Sequence, residues 1–159
     1  MIVLDINCFH SVFDIDSSDN ADFCHVLHWV KKQKYACFVY GGTKYNSELK
    51  KIIRNKKYIS FISELNRARK FVEINAQLID DYAIHLKRIC SDTDFDDEHI
   101  VAILNISGCK LVCTKDIRAQ EYIKRKDFYS DKKIPRIYSS GKQRSLLNKK
   151  YIVELKNRC

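Results

Sequence analysis

Met1-Ile-Val-Leu-Asp5-Ile-Asn7 opens the chain as a short apolar run of β-forming residues that stops at a carboxylate. The pattern returns far downstream in Leu111-Val-Cys-Thr114-Lys-Asp116. In both stretches the acid stands where a strand should end and a helix should begin. The carboxyl edge of an open parallel sheet is where ligands bind. Two acids converging there, with no obvious basic partner beside either, would repel each other at neutral pH unless something positive lay between them. A divalent cation is the natural candidate.

Working outward from these two runs, the sequence alternates strand and helix. Strands are expected at 1–5, 35–40, 71–74, 110–114 and 134–138, and helices at 19–33, 43–55, 57–69, 76–90, 97–107 and 117–126, with a short one near 143–148. Strands that are apolar on both faces and alternate with helices predict an α/β fold, a central parallel sheet of about five strands flanked by helices. Pro135 marks its strand as an edge, since proline cannot donate to a neighbour on that side. Four glycines and one proline are too few for the turn-rich sequence of a β-sandwich. At 159 residues the chain is read as a single domain, 1–159, with a basic C-terminal segment at 124–159.

That segment holds 12 Lys/Arg against three acids, a net +9, while the first 123 residues carry 17 charges of each sign. A polyanion is the expected partner, nucleic acid before membrane, because the basic residues are not set on a strongly apolar helix; a solvated face that only confers solubility is the bland alternative. The basic residues singled out for nucleic acid are Lys132, Lys133, Arg136, Lys142 and Arg144. Seven cysteines with no Cys-x-x-Cys pair suggest buried thiols in a reduced, cytoplasmic protein. Neither a signal peptide nor a membrane span is expected.

Four acids stand where such a fold can gather them. Asp5 and Asp116 end strands, Asp97 opens the most apolar helix, and Glu48 lies on the margin of the apolar stripe Tyr45, Leu49, Ile52, Ile53. Carboxylate oxygens without histidine suit Mg²⁺ or Mn²⁺, ions that activate phosphodiester hydrolysis. Each acid also has a plainer reading. Asp5 can be a turn acid, Glu48 a solvated residue paired with Lys44 or Lys51, and the acids of Ser91-Asp-Thr-Asp-Phe-Asp-Asp-Glu98 in part a helix cap. Asn7 and Thr114 can be local caps. Cys24-His25-x-x-His28 lacks a partner cluster for zinc, Gly41-Gly42 reads as a turn before a phosphate cradle, and the tyrosines at 40, 45, 58 and 82 read as core before base-stacking platforms, with Tyr35 grouped among them.

Taken in order, Val3-Leu-Asp5-Ile-Asn7, Glu48-Leu49, Asp97-Glu-His-Ile100-Val-Ala102 and Leu111-Val-Cys-Thr114-Lys-Asp116 resemble the motifs of the PIN domain (PilT N-terminus) nucleases, over roughly residues 1–128. The resemblance implies that Asp5, Glu48, Asp97 and Asp116 form the catalytic quartet, with Asp5, Asp97 and Asp116 holding Mg²⁺ or Mn²⁺ and Asn7 and Thr114 orienting them. No acid follows Asp116 until Glu121, which leaves one ion or two open. Asp96 and Glu98 flank Asp97, and spacing to Ile100 and Ala102 favours Asp97. The implied activity is a metal-dependent endoribonuclease acting on single-stranded RNA, as the toxin of a toxin–antitoxin pair or as a defence effector. Its implied partners are RNA, an antitoxin or other regulatory protein, and a second copy of the chain in a homodimer. The rival from another class is a non-catalytic PIN-like module that grips RNA or protein.

Overall fold

Five short strands form where the sequence turns apolar: β1 (Ile2–Leu4), β2 (Phe38–Gly41), β3 (Phe71–Ile74), β4 (Leu111–Cys113) and β5 (Arg136–Tyr138). They are joined by α1 (Phe9–Phe13), α2 (Asn20–Lys32), α3 (Thr43–Ile52), α4 (Lys56–Arg67), α5 (Ala76–Ile89), α6 (Glu98–Ser107) and α7 (Ile117–Ile123). A 3₁₀ segment at Gly141–Leu146 stands where a short helix is expected near 143–148. The structure is a computed structural model and describes residues 1–129, 131 and 133–152.

All five strands run parallel in the order β3-β2-β1-β4-β5. The fold is therefore α/β with a central five-stranded parallel sheet, and β5, just after Pro135, is an edge strand as expected. From β1 the chain steps outward to β2 and β3, then returns past β1 to lay down β4 and β5. The carboxyl ends of β1 and β4 thus flank the point where strand order reverses, the place where such sheets open a crevice.

Ile2, Val3, Leu4, Leu111, Val112 and Cys113 are all completely buried. Because successive strand residues point to opposite faces, both faces of the sheet centre are covered. Phe13 of α1 and Phe23 of α2 bring their rings to 5.7 Å from Phe38 and 5.9 Å from Tyr138. Helix α6 lies against β1, β2 and β3 and buries every side chain from Glu98 to Leu104. It is hydrophobic nearly all round, as a helix inside a core must be.

Helix α1 was not expected. Its five residues are too few for a 3.6-residue period to declare itself, and what holds them is Phe9 packing one turn back on Phe13, with ring centroids 4.5 Å apart. At the other end of the site, Gly41 and Gly42 form a turn packed tightly on α5. A Cβ on Gly42, whose φ is +82°, would meet Ile79 Cγ2 at 2.7 Å. The six cysteines among the described residues are free thiols, five of them buried.

Candidate functional site

Asp5 follows β1 immediately, and its backbone N–H still bonds the Cys113 carbonyl at 2.9 Å. Its carboxylate is 6% exposed. Oδ2 accepts the Thr114 hydroxyl at 2.6 Å and Oδ1 accepts the Asn7 backbone N–H at 3.2 Å. The same Thr114 oxygen accepts the Asp116 N–H at 3.1 Å. One fully buried hydroxyl therefore ties the turn after β1 to the turn after β4. Asn7 contributes to this arrangement through its backbone, while its side chain takes the Cys8 thiol at 3.2 Å.

Asp116 caps α7, its Oδ1 accepting the N–H groups of Arg118 at 2.8 Å and Ala119 at 3.3 Å. Oδ2 takes no hydrogen bond among the described residues. Asp97 sits at the N-cap position of α6 but makes no capping bond with its side chain. Burial pushes its carboxyl up to about 6, and the charges of Asp5, Asp96 and Asp116 push the same way while His99 opposes them. Asp5 is raised too, by burial above all and in part by Asp116, with Thr114, Asn7 and His99 pulling it down. Charge from Asp116 thus reaches both Asp5 and Asp97, and charge from Asp5 reaches Asp97.

Glu48 and Asp97's neighbours resolve into separate groups. Glu48 is half-buried on α3, and its Oε2 lies 3.6 Å from His99 Nε2. That neighbour is the main reason its carboxyl is held below the usual range, with Lys44 and Lys51 adding and burial opposing. Lys44 itself turns to the Asp96 carbonyl and to Glu98, 3.4 Å away. Lys87 reaches the other oxygen of Glu98 at 3.1 Å. So Asp97 feels the charges of Asp5 and Asp116, while buried Glu98 pairs with two lysines.

His99 is the residue that sequence reasoning passed over. It is 4% exposed, and its Nδ1 is buried with no partner among the described residues. A buried polar atom left unbonded costs about 1–3 kcal/mol. The signal in the sequence was a polar ring directly before the apolar stretch Ile100–Leu104, two residues after Asp97.

Among the described residues, no three His, Cys, Asp or Glu side chains are gathered tightly enough, as placed, to hold a metal ion. Asp116 spends one oxygen on its own helix, capping α7. The chemistry of the donor set nevertheless fits a hard cation. It offers carboxylate oxygens only, with the Asp97 carboxylate and Asp116 Oδ2 both without a hydrogen bond among the described residues.

Two clefts open on the surface, neither lined by Asp5, Asp97 or Asp116. One of about 520 Å³ lies between α3, α5 and α6, with Glu48 and His99 in its wall. The other, of about 410 Å³, lies along α7 and β5 and is lined by Lys124, Arg136 and Lys142 among others. Lys133 and Arg144 are exposed, Arg144 Nη2 standing 3.3 Å from His25 Nδ1, and Lys132 lies outside the described residues. Tyr45 and Tyr58 are core residues, Tyr40 and Tyr82 are half-buried, and Tyr35 is exposed. No helix among the described residues is long and apolar enough to cross a membrane. Comparison of the chain with family models, curated proteins and solved structures gave no match.

Proposed function

We propose that the protein is a PIN-like, Mg²⁺- or Mn²⁺-dependent endoribonuclease that hydrolyses single-stranded RNA. The observation that carries this reading is the placement of Asp5 and Asp116 after the paired strands β1 and β4, tied together by the Thr114 hydroxyl, with Asp97 at the start of α6. Asp5, Asp97 and Asp116 would hold the ion, and Glu48 would complete the site or position the attacking water. When bound, such an ion lowers the pKa of a coordinated water and offsets the charge that builds on the phosphate during in-line displacement. Thr114 fixes the Asp5 carboxylate and the Asp116 backbone in one geometry, so that their orientation is set before substrate arrives. Burial of Asp5 and α6 keeps bulk water from screening the acids. Cleavage would leave a 5′-phosphate and a 3′-hydroxyl. The α7–β5 cleft, with Lys124, Arg136 and Lys142, would receive the RNA backbone. Toxin with an antitoxin partner, or defence effector, remain the roles this activity would serve.

The test is cleavage of a labelled single-stranded RNA. Activity should need Mg²⁺ or Mn²⁺, stop with chelator, and fall at least about 100-fold in Asp5→Asn and Asp116→Asn, whose circular dichroism should match wild type. Undiminished cleavage in chelator would refute the mechanism, and RNA binding without turnover in wild type would favour a non-catalytic module.

A further inference from the structure

Helix α3 is pinned beside the site by Tyr45, whose fully buried hydroxyl donates to the Leu4 carbonyl at 2.6 Å, one residue before Asp5. Glu48 stands three residues further along, on nearly the same face of that helix. The pin sets where α3 lies but not where the Glu48 carboxylate points. Among the described residues the basic side chain within 4 Å of it is His99, whose Nε2 lies at 3.6 Å. The imidazole meets Glu48 from the first turn of α6, two residues after Asp97, and its ring centroid is 6.4 Å from that of Tyr45.

A histidine used only for core packing would satisfy both ring nitrogens or give way to leucine, which fits the apolar surroundings without a desolvated nitrogen. Here Nδ1 is orphaned, so the ring's polar orientation depends on its Nε2 side alone. Ring and carboxylate therefore locate each other. We propose that His99 is a positioning residue for Glu48, holding its carboxylate in the wall of the α3–α5–α6 cleft. This rests on the nuclease reading for its effect on turnover, but the pairing itself belongs to the free protein.

The experiment is a double-mutant cycle on the full chain, with His99→Leu, His99→Gln and Glu48→Gln. Glutamine at 99 keeps an N–H donor near the place of Nε2, and leucine keeps the bulk without it. With Mn²⁺, His99→Leu should lower kcat about 10- to 100-fold with KM within about twofold, and His99→Gln should restore most of the loss. In the Glu48→Gln background, His99→Leu should change nothing further. In chelator, urea unfolding of the same variants should show the two sites coupled by about fivefold or more in the unfolding constant. Additive effects in the chelator cycle, a loss confined to KM, or a His99→Gln as poor as His99→Leu would each overturn the proposal. A wild type inert on RNA sinks the nuclease reading, and the metal-free cycle still decides the pairing. If His99→Leu does not fold, His99→Phe, which keeps a ring but no donor, takes its place in both cycles with the same expected outcomes.

Discussion

Asp97 bears the electrostatic strain of the site, and that strain has a sign. Its carboxyl binds a proton more tightly in the folded protein, at about 6, than at the ordinary 3.8 of the unfolded chain. Below about pH 4 the group is neutral in both states and costs nothing; stability then falls as pH rises through about 6, and above about pH 7 the whole penalty is present. That penalty is about 2–3 kcal/mol, the lower figure allowing for the partial exposure of Asp97. In chelator, Asp97→Asn should therefore be more stable than wild type by that amount at pH 8 and no more stable near pH 4, as read by urea unfolding. Mn²⁺ should stabilise wild type and leave Asp97→Asn nearly unmoved. Thr114 works in the opposite sense, because its hydroxyl bonds a buried carboxylate. Thr114→Val should cost about 1.5–3 kcal/mol at pH 7 and raise the Asp5 pKa further, which side-chain carboxyl NMR would follow. A neutral Thr114→Val would mean that the bond does not hold Asp5.

At the scale of elements, the site depends on α3 and α6 being set down at the correct rotation. The β2–α3 turn is one such determinant. Gly42 has φ +82° and no room for a Cβ against Ile79, whereas Gly108, after α6, has φ +66° and nothing within 4 Å. Gly42→Ala should cost about 2–4 kcal/mol, backbone strain plus overpacking, and Gly108→Ala only about 1. Thermal or urea unfolding of the two variants measures the difference directly. Gly42→Ala should also lower RNA cleavage beyond its loss of folded protein, since the same turn sets the height of Glu48. Equal costs at the two glycines would show that the turn is not tightly packed. Helix α6 sorts its acids by rotation alone. Asp97 and Glu98 are adjacent in sequence, yet one is pushed up by burial and by the charges of Asp5 and Asp116 while the other pairs with Lys44 and Lys87.

Across the whole molecule, charge and chemistry are separated. The acids gather at the sheet's reversal point, while Lys124, Arg136 and Lys142 line the cleft beyond β5. If that cleft holds the RNA backbone, binding by the cleavage-dead Asp116→Asn protein should weaken steeply with salt. Neutralising Lys124, Arg136 and Lys142 together should flatten the log–log slope by about 2, at about 0.7 for each phosphate that no longer meets a cation. Filter binding or fluorescence anisotropy from low to moderate salt would read it. A slope left unchanged would make these residues a solvated face and place the grip elsewhere.

The alternation of strand and helix, the parallel sheet, the edge position of β5 and the acids at strand ends were legible in the sequence. Each is written locally, in runs of apolar residues, their period and the acid or proline that closes them. Helix α1 was not legible, because five residues are less than two turns. Strand order was beyond reach for a different reason. Whether β4 returns beside β1 depends on how crossovers bury both faces of the sheet, and no local pattern encodes it. That return is what sets the Thr114 hydroxyl on Asp5 across 109 residues of chain. The same holds for Glu48 and His99, which lie on different helices, and for the divergence of Asp97 from Glu98. Residue type and spacing determined which groups could do chemistry, whereas helix rotation and strand order, set by packing over the whole core, decided which of them meet.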